Sequence, residues 1–200
     1  QSAEDGLKYR RILSVWWPLA ASWLLMALEL PAISAVLTRL ENPEIQLAAW
    51  GGVIFPICLI VEAPIIMLLA ASTALSRDWA SYMKLHRFMI TSSVILTCVH
   101  ILIAFTPLYY FVVGTLIGAP AEVIEPARPG LMFMTVWTGA IAFRRLNQGL
   151  LIRFNHSRAV GAGTIVRLGT DVIILTVGAL SGRMAGAALA GLAVGSGVVA

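Results

Sequence analysis

Six ionisable residues, Glu29, Glu62, Arg144, Arg145, Arg167 and Asp171, lie inside long apolar stretches of this 200-residue chain. An ionised side chain near the centre of a bilayer costs about 2.5–3.5 kcal/mol on insertion scales, so such residues are rare and mark binding sites, ion paths or buried pairs. Three are basic and three acidic, which points to a mutually compensating network inside a helical bundle rather than to groups facing lipid. Guanidinium groups hold carboxylates and phosphates through paired hydrogen bonds, whereas a carboxylate at depth can take up a proton or a sodium ion. Arg144, Arg145 and Arg167, with Asn147 and Gln148 beside them, are therefore candidate contacts for an anionic solute. Glu29, Glu62 and Asp171 are candidate coupling or gating residues. Two alternatives remain at this level: the acids serve only as structural partners of the arginines, or some arginines snorkel to the interface and anchor their helices.

Spacing narrows the geometry. Arg144 and Gln148 are four residues apart and share a helix face, and so do Arg167 and Asp171, for which an intrahelical ion pair is natural. Arg145 lies about 100° further round its helix. Pro31 follows Glu29 by two residues and Pro64 follows Glu62 by two, with Pro18 and Pro56 earlier in the same runs. Each interior proline removes a backbone donor and frees the carbonyl four residues back, so the first two runs are expected to be kinked.

The elements that must carry these residues are membrane helices. The chain is 59% hydrophobic and only 12% charged, with fourteen basic and ten acidic residues, too few charges to coat a soluble globule. Backbone groups in lipid need internal partners, so the expected fold is an all-α polytopic bundle. Runs of the length needed to cross a bilayer fall near residues 12–37, 47–75, 88–110, 131–152, 160–180 and 184–200, predicting a single six-helix lobe. Residues 118–130 read as a link because of their glycine and prolines. Lys8, Arg10, Arg11, Arg77, Lys84, Arg87, Arg153 and Arg158 fall on one side of this arrangement, against Arg39, Arg128 and Arg183 on the other. The excess of bases predicts a cytoplasmic N-terminus behind a polar lead-in. Arg144 and Arg145 then lie about 12–14 Å above the cytoplasmic end of the fourth helix and Arg167 about 11–13 Å above that of the fifth, one common level. The sixth run is short for a full crossing, which gives the expectation of a first lobe of a longer polypeptide.

Weaker signals accompany these. Gly114 with Gly118, and Gly191 with Gly195, have the spacing of close helix contacts. Trp16, Trp17 and Trp50 suit interfacial belts. His100 reads as a hydrogen-bonded packing residue, and Cys58 and Cys98 as buried small hydrophobes. No Gly-x-Ser-x-Gly, Walker or His-Glu-x-x-His motif occurs, and the histidines have no ligand spacing, so neither an enzyme nor a metal site is expected. Nucleic acid is not an expected partner. The expected partners are the lipid bilayer, a small anionic or lipid-linked solute and a second lobe of the same polypeptide, with a proton or sodium ion as coupling species and no other cofactor.

Residues Trp16-Trp17-Pro18-Leu19-Ala20 after a basic lead-in, and Arg144-Arg145-Leu146-Asn147-Gln148-Gly149-Leu150-Leu151-Ile152-Arg153 in the fourth run, resemble bacterial MATE-like proteins related to the progressive ankylosis family. These belong to the multidrug, oligosaccharidyl-lipid and polysaccharide flippase superfamily. The resemblance implies an inner-membrane transporter with two six-helix lobes around a central cavity, working by alternating access, this chain being the N-terminal lobe. Multidrug members keep an acidic N-lobe, whereas three arginines lie at cavity depth here. That departure implies the ankylosis-like side of the superfamily, linked to export of anions such as pyrophosphate, nucleotide or citrate. A cation-coupled drug antiporter using Glu29, Glu62 and Asp171 is the alternative within transport. A membrane scaffold whose charges only specify helix packing is the alternative outside it.

Overall fold

The computed structural model describes residues 9–200, apart from the side chains of Arg11 and Val15. The polar lead-in up to Lys8, and the Arg11 side chain, lie outside the described residues. Among the described residues every regular element is helical. The order is α1 (Tyr9–Ala27), α2 (Glu29–Leu37), α3 (Pro43–Ala48), a π-helical turn (Ala49–Ile54), α4 (Phe55–Ile66), α5 (Leu68–Leu75), α6 (Trp79–Phe105), α7 (Leu108–Tyr110), a second π-helical turn (Phe111–Leu116), α8 (Ala121–Phe133), α9 (Thr135–Arg153), α10 (Ser157–Ser181) and α11 (Gly186–Val199). Four stretches are long and apolar enough to cross a membrane, Ile12–Leu37, Pro43–Leu75, Trp79–Phe105 and Ser157–Ser181. The expected fourth and sixth runs also form helices, α9 with Arg144, Arg145 and Arg153 in it and α11 with 14 residues. Large apolar side chains such as Ile60, Ile173 and Leu180 point outward, as on a bundle surrounded by lipid.

Helix boundaries follow local chemistry. Proline leaves its mark where expected: α1 gives way to α2 at Leu28, just after the Ala27 carbonyl that Pro31 leaves free, and α4 gives way to α5 at Met67, three residues past Pro64. The first π-helical turn runs up to Phe55-Pro56, where another backbone donor is missing. Pro18, by contrast, sits inside an unbroken α1, where its carbonyl accepts from the Ser22 hydroxyl at 2.7 Å. Asp78 starts α6 nine residues before the expected boundary by accepting from the Ser81 backbone N–H at 2.7 Å, a bond that also holds its carboxyl below the usual carboxylate range. Lys84, His86 and Arg87 thus belong to a helix rather than to a link. Gly182, at φ +59, closes α10 in the left-handed conformation that glycine adopts without strain.

Residues 118–130 are the clearest correction. From Ala121 onward the segment is helical despite Pro126 and Pro129, because Val123, Ala127, Gly130, Leu131 and Met134 form a buried stripe at helical spacing. Tertiary packing outweighs the loss of two hydrogen bonds, as happens where a proline helix is buried in protein at membrane depth. Arg128 sits in this helix, with its guanidinium over the Tyr109 and Tyr110 rings and donating to the Ala104 carbonyl at 3.3 Å.

That stripe rests on α11, the most enclosed helix, around which α2, α3, α8, α9 and α10 are arranged. Of the two small-residue pairs, Gly191 and Gly195 are a packing face: a side chain on Gly191 would overlap the Gly130 carbonyl, and one on Gly195 would lie 3.0 Å from the Phe133 carbonyl oxygen. Gly114 and Gly118 are not, since a Cβ on Gly114 would meet only an ordinary contact and Gly118 is a turn residue at φ +71. The start of α11 is held by Gln46, whose side-chain oxygen accepts from the Ala187 N–H at 2.8 Å. On the other side α9 presses on α5 at Gly149, and Arg153 donates to the Thr73 and Ala74 carbonyls at 2.7 and 3.2 Å, closing the end of α5. Trp16 and Trp17 are exposed, while Trp50 is buried against Phe55 rather than at an interface. Cys58 is buried, but Cys98 is exposed, on the outward side of α6.

Gly191→Ala is expected to lower the thermal midpoint of the detergent-solubilised chain, with an overpacking cost of about 1–3 kcal/mol. Gly169→Ala, where an added Cβ meets nothing within 4 Å, serves as the matched control and should leave the midpoint unchanged or slightly raised.

Candidate functional site

The break at Leu28 makes Glu29 the first residue of α2, where it faces α10. Its carboxylate is the main partner of Arg167, one terminal nitrogen of which donates to both Glu29 oxygens at 2.5 and 2.7 Å. Asp171, one turn along α10, is 3.9 Å from the Arg167 Nε, an ion pair without a hydrogen bond. The intrahelical pair expected from spacing is therefore present but secondary. Both Asp171 oxygens and the Arg167 Nε are buried without a hydrogen-bond partner. Asp171 also lies against the backbone of α11, since a side chain on Gly197 would occupy the place of its Oδ1.

Glu62 comes from α4 and is 1% exposed, with Oε1 unpartnered. The positive charges acting on it are those of Arg145 and Arg167. Arg145, also buried, donates to the Gln148 side-chain oxygen at 3.1 Å and has its guanidinium 6.0 Å from the Trp23 ring. Gln148 thus serves Arg145, not the Arg144 with which its i,i+4 spacing associates it. Arg144 is half-buried and reaches across to α10, where its one hydrogen bond among the described residues is to the Thr164 hydroxyl at 3.5 Å. The charges of Arg167, Arg145, Glu29 and Asp171 all act on it, although no carboxylate lies within ion-pair distance.

All six charges singled out in the sequence therefore belong to one electrostatic cluster, contributed by α2, α4, α9 and α10. Arg144, Asn147 and Gln148 also border a cleft of about 220 Å³ between α9, α10 and the end of α11. Asn147 is bound to its own helix through the Phe143 carbonyl at 2.9 Å, which leaves its oxygen turned toward no protein donor. Thr164 and Trp23 are additions that sequence reasoning missed. Thr164 was legible in principle, standing three residues before Arg167 on the same face of α10. His100 is enclosed, with Nε2 2.9 Å from the Leu131 carbonyl and Nδ1 2.9 Å from the Thr138 hydroxyl, so that Nε2 donates and Nδ1 accepts. It stitches α6 to α8 and α9 away from the cluster. Contrary to the expectation that Ser-x-x-Lys is absent, Ser81 and Lys84 have that spacing, but among the described residues no hydrogen bond joins their side chains.

Comparison with family models, curated proteins and solved structures returns no match for this chain. The functional reading rests on the cluster itself.

Glu29→Gln keeps one amide oxygen as an acceptor but removes the charge that compensates Arg167, leaving the long contact to Asp171 as its ion pair, and should cost about 3 kcal/mol. A double-mutant cycle with Arg167→Met, followed by denaturation in detergent, checks this. The double variant should lose clearly less than the sum of the two single losses. Strict additivity would mean that the two side chains do not stabilise one another.

Proposed function

We propose that this chain is one lobe of a secondary active transporter, of the MATE-like flippase type its sequence resembles, for an anionic solute carrying phosphate or several carboxylates. In this reading the lobe has six membrane crossings in the inner membrane, a cytoplasmic N-terminus and a second lobe of the same polypeptide facing it. The observation that carries the proposal is Arg144, a half-buried guanidinium within the mid-span charge cluster, without a carboxylate of its own and bordering an open cleft. Arg145 is buried and donates to Gln148 at 3.1 Å, whereas Arg144 has the longer contact to the Thr164 hydroxyl and borders the cleft.

The solute enters the cleft and one of its oxyanions accepts hydrogen bonds from Arg144, aided by the amides of Asn147 and Gln148. Its charge replaces the missing carboxylate, so the cluster is better balanced with solute than without. Arg145 and Arg167 act behind this contact, each held by its own partner. The bare oxygens of Asp171 and Glu62 suit them to take the coupling proton or sodium ion. Solute and coupling ion then influence one another through the shared cluster, and the interrupted helices at Leu28 and Met67 supply places where the lobe can flex.

A membrane scaffold is the second reading, and one observation favours it. Five of the six charged residues are at most 9% exposed, and Arg167 and Glu29 are closed on each other. Uptake of radiolabelled citrate and of pyrophosphate into membrane vesicles bearing the full-length protein separates the two. Under transport, Arg144→Ala should reduce uptake of the accepted anion by at least about tenfold, the worth of one charge-assisted hydrogen bond, with Arg144→Lys retaining part of it. Uptake equal to that of empty vesicles for both anions would favour the scaffold, and uptake indifferent to Arg144→Ala would remove this residue from the path.

A further inference from the structure

A second basic site lies away from the cluster, where α5 ends and α6 begins. Leu75, Arg77, Ser81, Lys84, Leu85 and Phe88 line a groove of about 500 Å³. Its α6 wall is one stripe, because Ser81, Lys84, Leu85 and Phe88 recur at three- and four-residue spacing. Polarity is graded along that stripe. Arg77, Ser81 and Lys84 stand toward the helix start, Leu85 directly follows Lys84, and Phe88 lies about one turn beyond it, with Leu75 contributed by α5. Leu75 and Phe88 are 53% and 60% exposed, so the apolar half of the groove is uncovered by protein.

The bases are equally unclaimed. Arg77 and Lys84 are exposed and neither is within 4 Å of a carboxylate among the described residues. Arg153, the nearest further base on the α9 side, is already spent on the Thr73 and Ala74 carbonyls. Asp78 is the one acid close by, acting on Lys84 electrostatically, and its carboxylate is engaged with the Ser81 N–H. Trp79 and Tyr82 stack at 5.2 Å on the adjoining face of α6, with Trp79 74% exposed. An exposed tryptophan at the end of a span marks headgroup depth.

We infer that this groove is a binding site for an anionic phospholipid, its phosphate held between Arg77 and Lys84 and an acyl chain lying along Leu85, Phe88 and Leu75. Basic residues at span ends attract anionic headgroups, and the gradient from bases to bare apolar surface matches a phosphate joined to a hydrocarbon chain, which a free phosphate lacks. Along the groove-lining stripe of α6, Lys84 precedes Phe88 by about one turn, which is the order of charge and hydrocarbon that a lipid has along the membrane normal. A zwitterionic lipid presents the same chain and phosphate but adds a positive charge next to the two bases. The site therefore selects by net headgroup charge.

Native mass spectrometry of the full chain in detergent, titrated with phosphatidylglycerol or with phosphatidylcholine of identical chains, tests the inference. Phosphatidylglycerol should bind more tightly, with affinity falling about fivefold on loss of either base and about thirtyfold in Arg77→Ala/Lys84→Ala. Arg158→Ala/Arg183→Ala, which removes the same charge elsewhere, should leave phosphatidylglycerol binding unchanged. Equal binding of the two lipids, or an equal loss in both double variants, would overturn the site. So would displacement of the lipid by millimolar inorganic phosphate at constant ionic strength, which would mean that the acyl contact contributes nothing. Leu85→Asn should weaken phosphatidylglycerol binding without changing its preference over phosphatidylcholine, which separates the chain contact from the charge contact.

Discussion

The bond between Arg167 and Glu29 sets the terms for the rest of the bundle. Withdrawing two charges from water costs several kcal/mol each, and that cost is offset only when the geometry is close and the remaining polar atoms are served. Here the closeness depends on a chain interruption. Glu29 follows directly on the break at Leu28, and that break stands where Pro31 has no N–H to offer. An uninterrupted first helix would set the direction of Glu29 by the α1 axis, and Arg167 would then have Asp171 alone, at 3.9 Å. The proline beside the acid is thus part of how the charge is accommodated.

A second dependence runs through the small residues of α11. Gly191 and Gly195 let α8 approach within backbone contact, while Gly197, two residues past Gly195 and on another side of the helix, makes room for Asp171 from α10. Close packing without a hydrophobic driving force is how helices associate in lipid. In this chain the same helix that permits close packing on one side receives a carboxylate on the other. The consequence is a bundle in which helix packing and charge placement are not separable.

Much of this was legible in the sequence, because charged residues are so sparse that the six at depth stand out. Their membership of one cluster followed from helix rise and short links. Their partners did not follow, since partner choice across helices depends on rotations that spacing leaves free. Spacing puts Gln148 on the helix face of Arg144, yet its side-chain oxygen accepts from Arg145, three residues before it. Arg167 was given Asp171 by the same rule, and a residue 138 positions distant outcompetes it. Local rules rank local candidates, and a buried charge chooses among all that reach it. The misreading of residues 118–130 has a related cause, for Pro126 and Pro129 were weighed as local punctuation while the buried stripe of Val123, Ala127 and Leu131 was tertiary information.

What separates Arg144 from the other two arginines is therefore position rather than residue type. Arg167 and Arg145 point to the interior, where any failure to pair would be costly, and each has found an acceptor. Arg144 is one residue before Arg145, about 100° round the helix, and so is directed between α9 and α10, at the cleft it shares with Asn147 and Gly163. A weak hydroxyl contact suffices there. Adjacent arginines on one helix thus divide into an inner one, buried and donating to Gln148, and an outer one, half-buried and reaching across to the Thr164 hydroxyl of α10, so that one residue of helix rotation decides how each charge is housed.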